Sequence, residues 1–128
     1  MAAPLDGPLS TAEVQRLDAT LLPALERHQL RLLAHGLRSL QEAAGRRQGG
    51  LPEAEPLQAW LERQPALQAD PDFLDPFRQQ LLALGDQLQR IAAEQGCTPL
   101  ELELGQLIQW SEEQARLRIT TAPERGPG

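Results

Sequence analysis

Leucine and other apolar residues recur at intervals of three and four along most of the chain, and this spacing limits the fold more than any other feature. Such a period places apolar side chains along one side of an α-helix, whereas a half-buried strand requires alternation at every second residue. Hydrophobic residues make up 41% and charged residues 23% of the 128 residues, as in folded globular domains. The sequence therefore predicts an all-α fold.

Capping signals and prolines divide this pattern into a small bundle of three longer helices and one short helix. Ser10 with Glu13, and Thr98 with Glu101, have the spacing of capping boxes that begin helices. Pro23 lacks the amide hydrogen that a helix interior needs, so it predicts a kink or a restart in the first helix. The predicted helices cover residues 10–44, 55–64, 75–96 and 98–116.

The first predicted helix carries two apolar stripes. One stripe comprises Val14, Leu17, Leu21, Leu25 and Leu32, and the other comprises Leu30, Leu33, Leu37, Leu40 and Ala44. A helix that is apolar on two faces needs two neighbours. It is therefore either the central helix of a monomer or a helix that pairs across a homodimer.

Residues 10–119 are predicted to form a single helical domain. A segment at 45–52, which contains three glycines, is predicted to be a linker between helices inside that domain. The ends, 1–9 and 120–128, contain prolines and glycines without apolar periodicity. We expect both ends to be flexible tails.

The net charge of −6 has the wrong sign for attraction to phosphate backbones or to anionic membrane surfaces. Ala92, Gly96 and Leu102 resemble the pattern of a helix-turn-helix motif, but Glu101 and Glu103 stand where its second helix would meet DNA. We therefore expect no nucleic-acid partner and no membrane partner. An alternative based on charge alone is an acidic inhibitor that occupies the nucleic-acid-binding surface of a partner.

Composition also leads to an expected location. Cys97 is the only cysteine and cannot form an internal disulfide, which fits a reducing compartment. The N-terminus shows no basic and apolar leader pattern, and no window approaches the roughly 20 apolar residues of a membrane span. The amino-acid composition is biased in the way that GC-rich codons produce, and this bias indicates a bacterial genome. These observations predict a cytoplasmic, bacterial protein.

One local string, "LLAHGLRSLQEAAG" at 32–45, resembles the phospho-accepting helix of histidine phosphotransfer domains. The positions that carry the resemblance are Ala34, His35, Leu37, Arg38, Ser39 and Gly45. The resemblance implies that His35 accepts a phosphoryl group and that Arg38 steadies its oxygens. The alternative interpretation is a structural histidine at the edge of a leucine stripe.

Other chemistry is not indicated by the sequence. His28 and His35 share a helix face, but seven residues separate them by about 10.5 Å along the axis, too far for one zinc ion. The carboxylates are scattered, and no phosphate-binding loop or nucleophile motif occurs. We expect a protein that is not an enzyme and that uses no metal or other cofactor.

Three apolar residues fall outside the predicted inward stripes: Trp110 and Leu117 in the last helix and Leu82 in the long helix. They form a candidate interaction surface, unless the first or the short helix covers them. The sequence thus predicts a non-enzymatic interaction or assembly factor with a protein partner. It does not indicate the process.

Overall fold

The computed structural model describes residues 9–121, and these residues form α-helices, short turns and no β-strand. The all-α prediction is confirmed. Six α-helices are described: α1 (Thr11–Asp18), α2 (Ala24–Ala44), α3 (Ala54–Glu62), α4 (Pro65–Ala69), α5 (Leu74–Gln95) and α6 (Leu104–Thr121). The structure has two more helices than the four that were predicted, and the additional helix boundaries occur at Pro23 and Pro65.

The first predicted helix is two helices, because the chain leaves the helix after Asp18 and restarts at Ala24. The carbonyl of Pro23 accepts the amide hydrogen of Arg27, so the proline stands just before α2 rather than inside a helix. This break ends the first predicted stripe: Leu21 is 99% exposed and Leu25 is 61% exposed. The second stripe is core, with Leu30, Leu33, Leu37 and Leu40 all buried.

The short predicted helix is α3, and its inward residues Leu57, Trp60 and Leu61 are buried as expected. Pro65 both follows its end and begins the five-residue helix α4, where a missing amide hydrogen costs nothing. A 3₁₀ turn at Pro71–Phe73 then leads into α5. The helix α5 ends at Gly96, which adopts the left-handed conformation with φ 74°.

The capping box at Thr98 and Glu101 forms, but it caps a 3₁₀ turn (Pro99–Glu101) and not an α-helix. The last helix begins later, at Leu104. Leu100 and Leu102 are both buried, and residues two apart on a helix point to nearly opposite sides. An extended backbone at Leu102 allows both side chains to be buried.

The segment 45–52 is a hydrogen-bonded loop. Gly45 and Gly49 have positive φ angles of 72° and 90°, a conformation that glycine adopts without strain. The amide of Gly49 donates to the hydroxyl of Thr98 at 2.9 Å, and its carbonyl accepts from Leu100 at 3.2 Å. The guanidinium of Arg46 donates to the carbonyls of Gln48 and Gly50. These bonds fix the predicted linker.

The described residues group into two compact units. The terminal unit contains the described residues up to Ala34 and those from Glu103 onward, and the central unit contains His35–Leu102. The core of the terminal unit includes Leu9, Leu17, Leu30, Leu33, Leu104 and Leu107, and that of the central unit includes Leu40, Leu57, Leu61, Leu81, Leu88 and Ile91. The assignment of both units to a single domain over 10–119 stays a prediction.

The described residues at the inner ends of both predicted tails are folded. Leu9 is only 1% exposed, because it lies in the core of the terminal unit. At the other end, α6 continues to Thr121, beyond its predicted end near Arg116. The remaining residues of both predicted tails, 1–8 and 122–128, lie outside the described residues.

Candidate functional site

Trp110 and Leu117, two of the three residues predicted to form an interaction surface, lie on α6 in the terminal unit. Trp110 is half-buried, and Leu117 is 49% exposed. Seven residues correspond to nearly two helical turns, so the two side chains share one side of α6. The third residue, Leu82, is 51% exposed on α5 and belongs to the central unit. The structure thus places two of the three in one unit.

Three more exposed apolar side chains in the terminal unit were not predicted: Leu21, Leu25 and Ile119. The first two were assigned to an inward stripe that assumed a continuous helix. Ile119 lay beyond the predicted end of the last helix, although 54% of it is exposed on α6. The exposure of Leu21 and Leu25 could have been predicted from Pro23, because a helix that restarts there changes the direction in which every later side chain points.

A pocket of about 250 Å³ opens in the terminal unit between the start of α2 and the middle of α6. Its lining residues are Leu25, Glu26, Gln29, Trp110, Ser111 and Gln114. Leucine and tryptophan supply apolar walls, while the glutamines and the serine supply uncharged polar groups. Glu26 is the one ionisable residue among these six. Its charge state therefore decides the electrostatics of the pocket.

Glu26 forms a two-point ion pair with Arg118. The Nε and Nη2 atoms of Arg118 donate to Oε2 and Oε1 of Glu26 at 2.6 and 2.8 Å. The glutamate lies in the first turn of α2 and the arginine in the last turn of α6, where each charge is favoured by the helix dipole. The hydrogen bonds from Arg118 lower the pKa of Glu26 from its ordinary 4.5, so the pair is ionised at neutral pH.

Ser111 is 1% exposed, and its hydroxyl has no hydrogen-bond partner among the described residues. Serine in a helix often donates to the carbonyl four residues earlier, but this hydroxyl does not. Buried polar groups in folded proteins are nearly always hydrogen-bonded, and an unpaired one costs stability. Ser111 is therefore an unsatisfied polar group in the wall of the pocket.

The central unit has its own exposed apolar residues, Phe73 and Leu82. The ring of Phe73 stacks on Phe77 with 5.9 Å between centroids and 28° between planes. Phe73 stands between Asp72 and Asp75, both of which are exposed.

His35, the residue of the phosphotransfer interpretation, is half-buried on α2. Arg38, which that interpretation assigns to the phosphoryl group, donates instead to Oε1 of Gln41 at 2.7 Å. Gln41 in turn donates to the carbonyl of Leu100 at 2.8 Å in the interior of the central unit. Arg38 thus has a structural contact, and phosphorylation of His35 stays a prediction.

Residues with metal-binding chemistry are dispersed in the described part of the chain. Within 9–121, no three His, Cys, Asp or Glu residues lie close enough to hold a metal ion. His28 is exposed on α2, and Cys97 is half-buried between Gly96 and the 3₁₀ turn. Among the helices described, none has the length and apolar character needed to cross a bilayer.

Comparison with known families places the chain beside proteins that assemble a larger complex. Residues 9–118, which include nearly all of the described chain, match the family described as NDH complex assembly factor CRR9. No curated protein and no solved structure matches the chain.

This match corrects the expected location of the protein. The matched family is described by the complex that it assembles and not by the cytoplasm, so the assignment to the cytoplasm is not supported. The assignment rested on one cysteine and on the absence of long apolar segments. Those features are compatible with any reducing aqueous compartment, so they could not identify the place where such a complex is assembled.

Proposed function

Because the chain belongs to the family of NDH complex assembly factors CRR9, we propose that it acts by binding a protein component of an NDH complex without catalysing a reaction. The interaction surface, in this proposal, is the exposed apolar part of the terminal unit around Trp110 and Leu117. The partner is a subunit or assembly intermediate that this surface contacts during assembly. No cofactor is needed for such a role.

The observation that carries the proposal is the concentration of exposed large apolar residues in the terminal unit. Four such side chains belong to it: Leu21, Leu25, Leu117 and Ile119. Each is about half exposed or more, and exposed apolar area in water is favourable to bury against a partner. Half-buried Trp110 adds an aromatic side chain of the kind that dominates protein interfaces.

The structure also supports a non-catalytic role. The pocket beside Trp110 contains one ionisable residue, Glu26, and both of its carboxylate oxygens already accept hydrogen bonds from Arg118. A general base needs a carboxylate that is within reach of a substrate proton. Glu26 is committed to an ion pair that joins α2 and α6.

Co-purification from native cells tests this proposal. The tagged chain should retain NDH subunits that mass spectrometry identifies, and Leu117→Asp should reduce their recovery at least tenfold, because a charge would be buried at the interface. Gln109→Asp adds the same charge at an exposed polar position of α6 and should leave recovery unchanged.

Two results would contradict the proposal. Absence of NDH subunits from the purified wild-type complex would remove the assembly role. Equal loss with Leu117→Asp and Gln109→Asp would show that added charge, and not the apolar surface, disturbs binding. Leu82→Asp separately reports whether the central unit takes part.

A further inference from the structure

We propose that the exposed aromatic surface at the start of α5 binds a basic segment of a protein partner, with an arginine guanidinium stacked on the ring of Phe73. This surface comprises the rings of Phe73 and Phe77 and the carboxylates of Asp70 and Asp72, all in the central unit. It shares no residue with the surface in the terminal unit that the proposed function uses. The inference therefore adds a second binding site, and the first site is not needed for it.

Phe73 presents a large aromatic side chain that packing within the unit covers only in part. Its ring stacks on Phe77 with 5.9 Å between centroids, and 49% of Phe73 stays exposed. The backbone that carries it is ordered, because Phe73 ends a 3₁₀ turn that Pro71 begins and its amide donates to the carbonyl of Asp70 at 3.0 Å. An exposed side chain on an ordered backbone loses little freedom when a partner binds.

Asp70 and Asp72 supply negative charge close to this ring. Both are exposed, and neither side chain forms an ion pair or a hydrogen bond with another residue in the part of the chain that the structure describes. Asp70 precedes the 3₁₀ turn, where an aspartate often caps the backbone, but its side chain makes no capping bond. The carboxylate of Asp75, by contrast, is paired with Arg78 at 2.8 Å. Two carboxylates within three residues of Phe73 thus remain available to a cation.

Charge complementarity selects the occupant of this surface. The central unit contains ten acidic residues and six arginines, so its wider field has the same sign as the two carboxylates. A nucleic acid would be repelled, and a second copy of this chain would bring its own net charge of −6. A neutral apolar segment would cover the ring but would remove water from the carboxylates without replacing it.

Arginine meets both requirements of the surface. Its planar guanidinium stacks on aromatic rings and donates paired hydrogen bonds to carboxylates, whereas the compact ammonium of lysine interacts with a ring less well. A segment with two arginines can place one over the ring of Phe73 and pair the other with Asp70 or Asp72. The expected ligand is therefore an arginine-containing basic segment.

The test titrates the full chain with the blocked tripeptide acetyl-Arg-Gly-Arg-amide, and nuclear magnetic resonance follows the ring protons of Phe73. These resonances should shift and saturate at millimolar peptide. Raising the salt from about 50 to about 500 mM should weaken binding at least fivefold, because the charges are exposed and screened. The corresponding lysine peptide should bind about threefold more weakly, and the glutamate peptide should give no saturable shift.

Matched variants separate a local site from an effect of net charge. Asp70→Asn combined with Asp72→Asn should weaken binding of the arginine peptide at least fivefold. Asp86→Asn combined with Glu94→Gln removes the same charge at exposed positions further along α5 and should change binding less than twofold. Phe73→Leu keeps an apolar side chain without a ring and should abolish the preference for arginine over lysine.

Several results would overturn the inference. They are the absence of a saturable shift with the arginine peptide, equal weakening by the two pairs of substitutions, and an unchanged preference for arginine in Phe73→Leu. Ring resonances that move with protein concentration in the absence of peptide would show that a second copy covers the surface instead. None of these results bears on the recovery of NDH subunits through Leu117, so the two proposals fail separately.

Discussion

At the scale of single residues, the terminal unit contains two oppositely charged side chains that meet through a long-range contact. Glu26 and Arg118 are 92 positions apart in the sequence, and each has several alternative partners of opposite charge nearby in the chain. Sequence spacing predicts local pairs well because residues three or four apart on a helix are neighbours. It does not predict which distant helix ends meet. For the same reason, the bond from Gln41 to the carbonyl of Leu100 was not foreseen.

We predict that Glu26→Gln lowers the melting temperature by several degrees at pH 7 and much less near pH 3. The folded-state pKa of Glu26 is lowered by Arg118, so the carboxylate stabilises the fold fully above its ordinary pKa of 4.5. That stabilisation disappears as the pH falls through the lower folded-state pKa. Circular dichroism melts of both proteins from pH 7 to pH 3 measure the difference.

Glu113→Gln is the matched control for this experiment. Glu113 also pairs with an arginine, Arg116, but both side chains are more than half exposed. Exposed pairs of this kind contribute little, so the melting temperature should hardly change at any pH. A deficit in Glu26→Gln that persists undiminished at pH 3 would assign its role to packing and not to charge.

At the scale of helices, the apolar period predicted the identity of the core residues wherever a helix was continuous. Leu30, Leu33, Leu37 and Leu40 lie on an unbroken part of α2 and are buried. The prediction was wrong at Leu21 and Leu25, because Pro23 separates two helices and the period restarts there. A proline can kink a helix or end it, and only the packing of the flanking segments decides between these results. Thr98 shows the same limit, since its capping box starts a 3₁₀ turn.

Helix contacts also decide which glycines can be replaced. A Cβ atom on Gly36 would lie 3.0 Å from Cδ1 and 3.2 Å from Cβ of Leu84. We predict that Gly36→Ala destabilises the protein by about 1 kcal/mol, because the clash outweighs the better helix propensity of alanine. Urea unfolding measures the change.

Gly105→Ala provides the comparison at the start of α6. Among the residues that the structure describes, the one close neighbour of its added Cβ is Nη2 of Arg16 at 3.2 Å, the far end of a flexible side chain. We expect this variant to be as stable as the wild type or more stable by up to about 1 kcal/mol. Similar stability changes in the two variants would mean that Leu84 can move away from Gly36 at little cost.

At the scale of the whole molecule, composition and periodicity predicted the all-α class, and charge favoured a protein partner over nucleic acid. The exposed apolar side chains of the terminal unit were predicted in part, and their role as an interaction surface stays a prediction. Trp110 and Leu117 were chosen because they fall outside a local stripe, but the exposure of Leu25 depends on where α1 ends and α2 begins. The pocket was not predictable, because its walls combine residues 25–29 of α2 with residues 110–114 of α6, which lie more than 80 positions further along the chain. No local pattern contains that proximity.

The two units differ in how the chain builds them, and this difference predicts how shortening affects each. The terminal unit combines an early and a late segment, whereas the central unit is continuous. Shortening the chain to residues 1–102 removes the buried residues Leu104 and Leu107 and the partner of Glu26, Arg118. We expect amides of α1 and of the first half of α2 to lose protection from hydrogen exchange by at least tenfold. Bonds within the central unit, such as Gln41 to Leu100, should preserve protection there. Hydrogen exchange with mass spectrometry compares the two chains, and loss of protection throughout would indicate one cooperative domain, as the sequence predicts for 10–119.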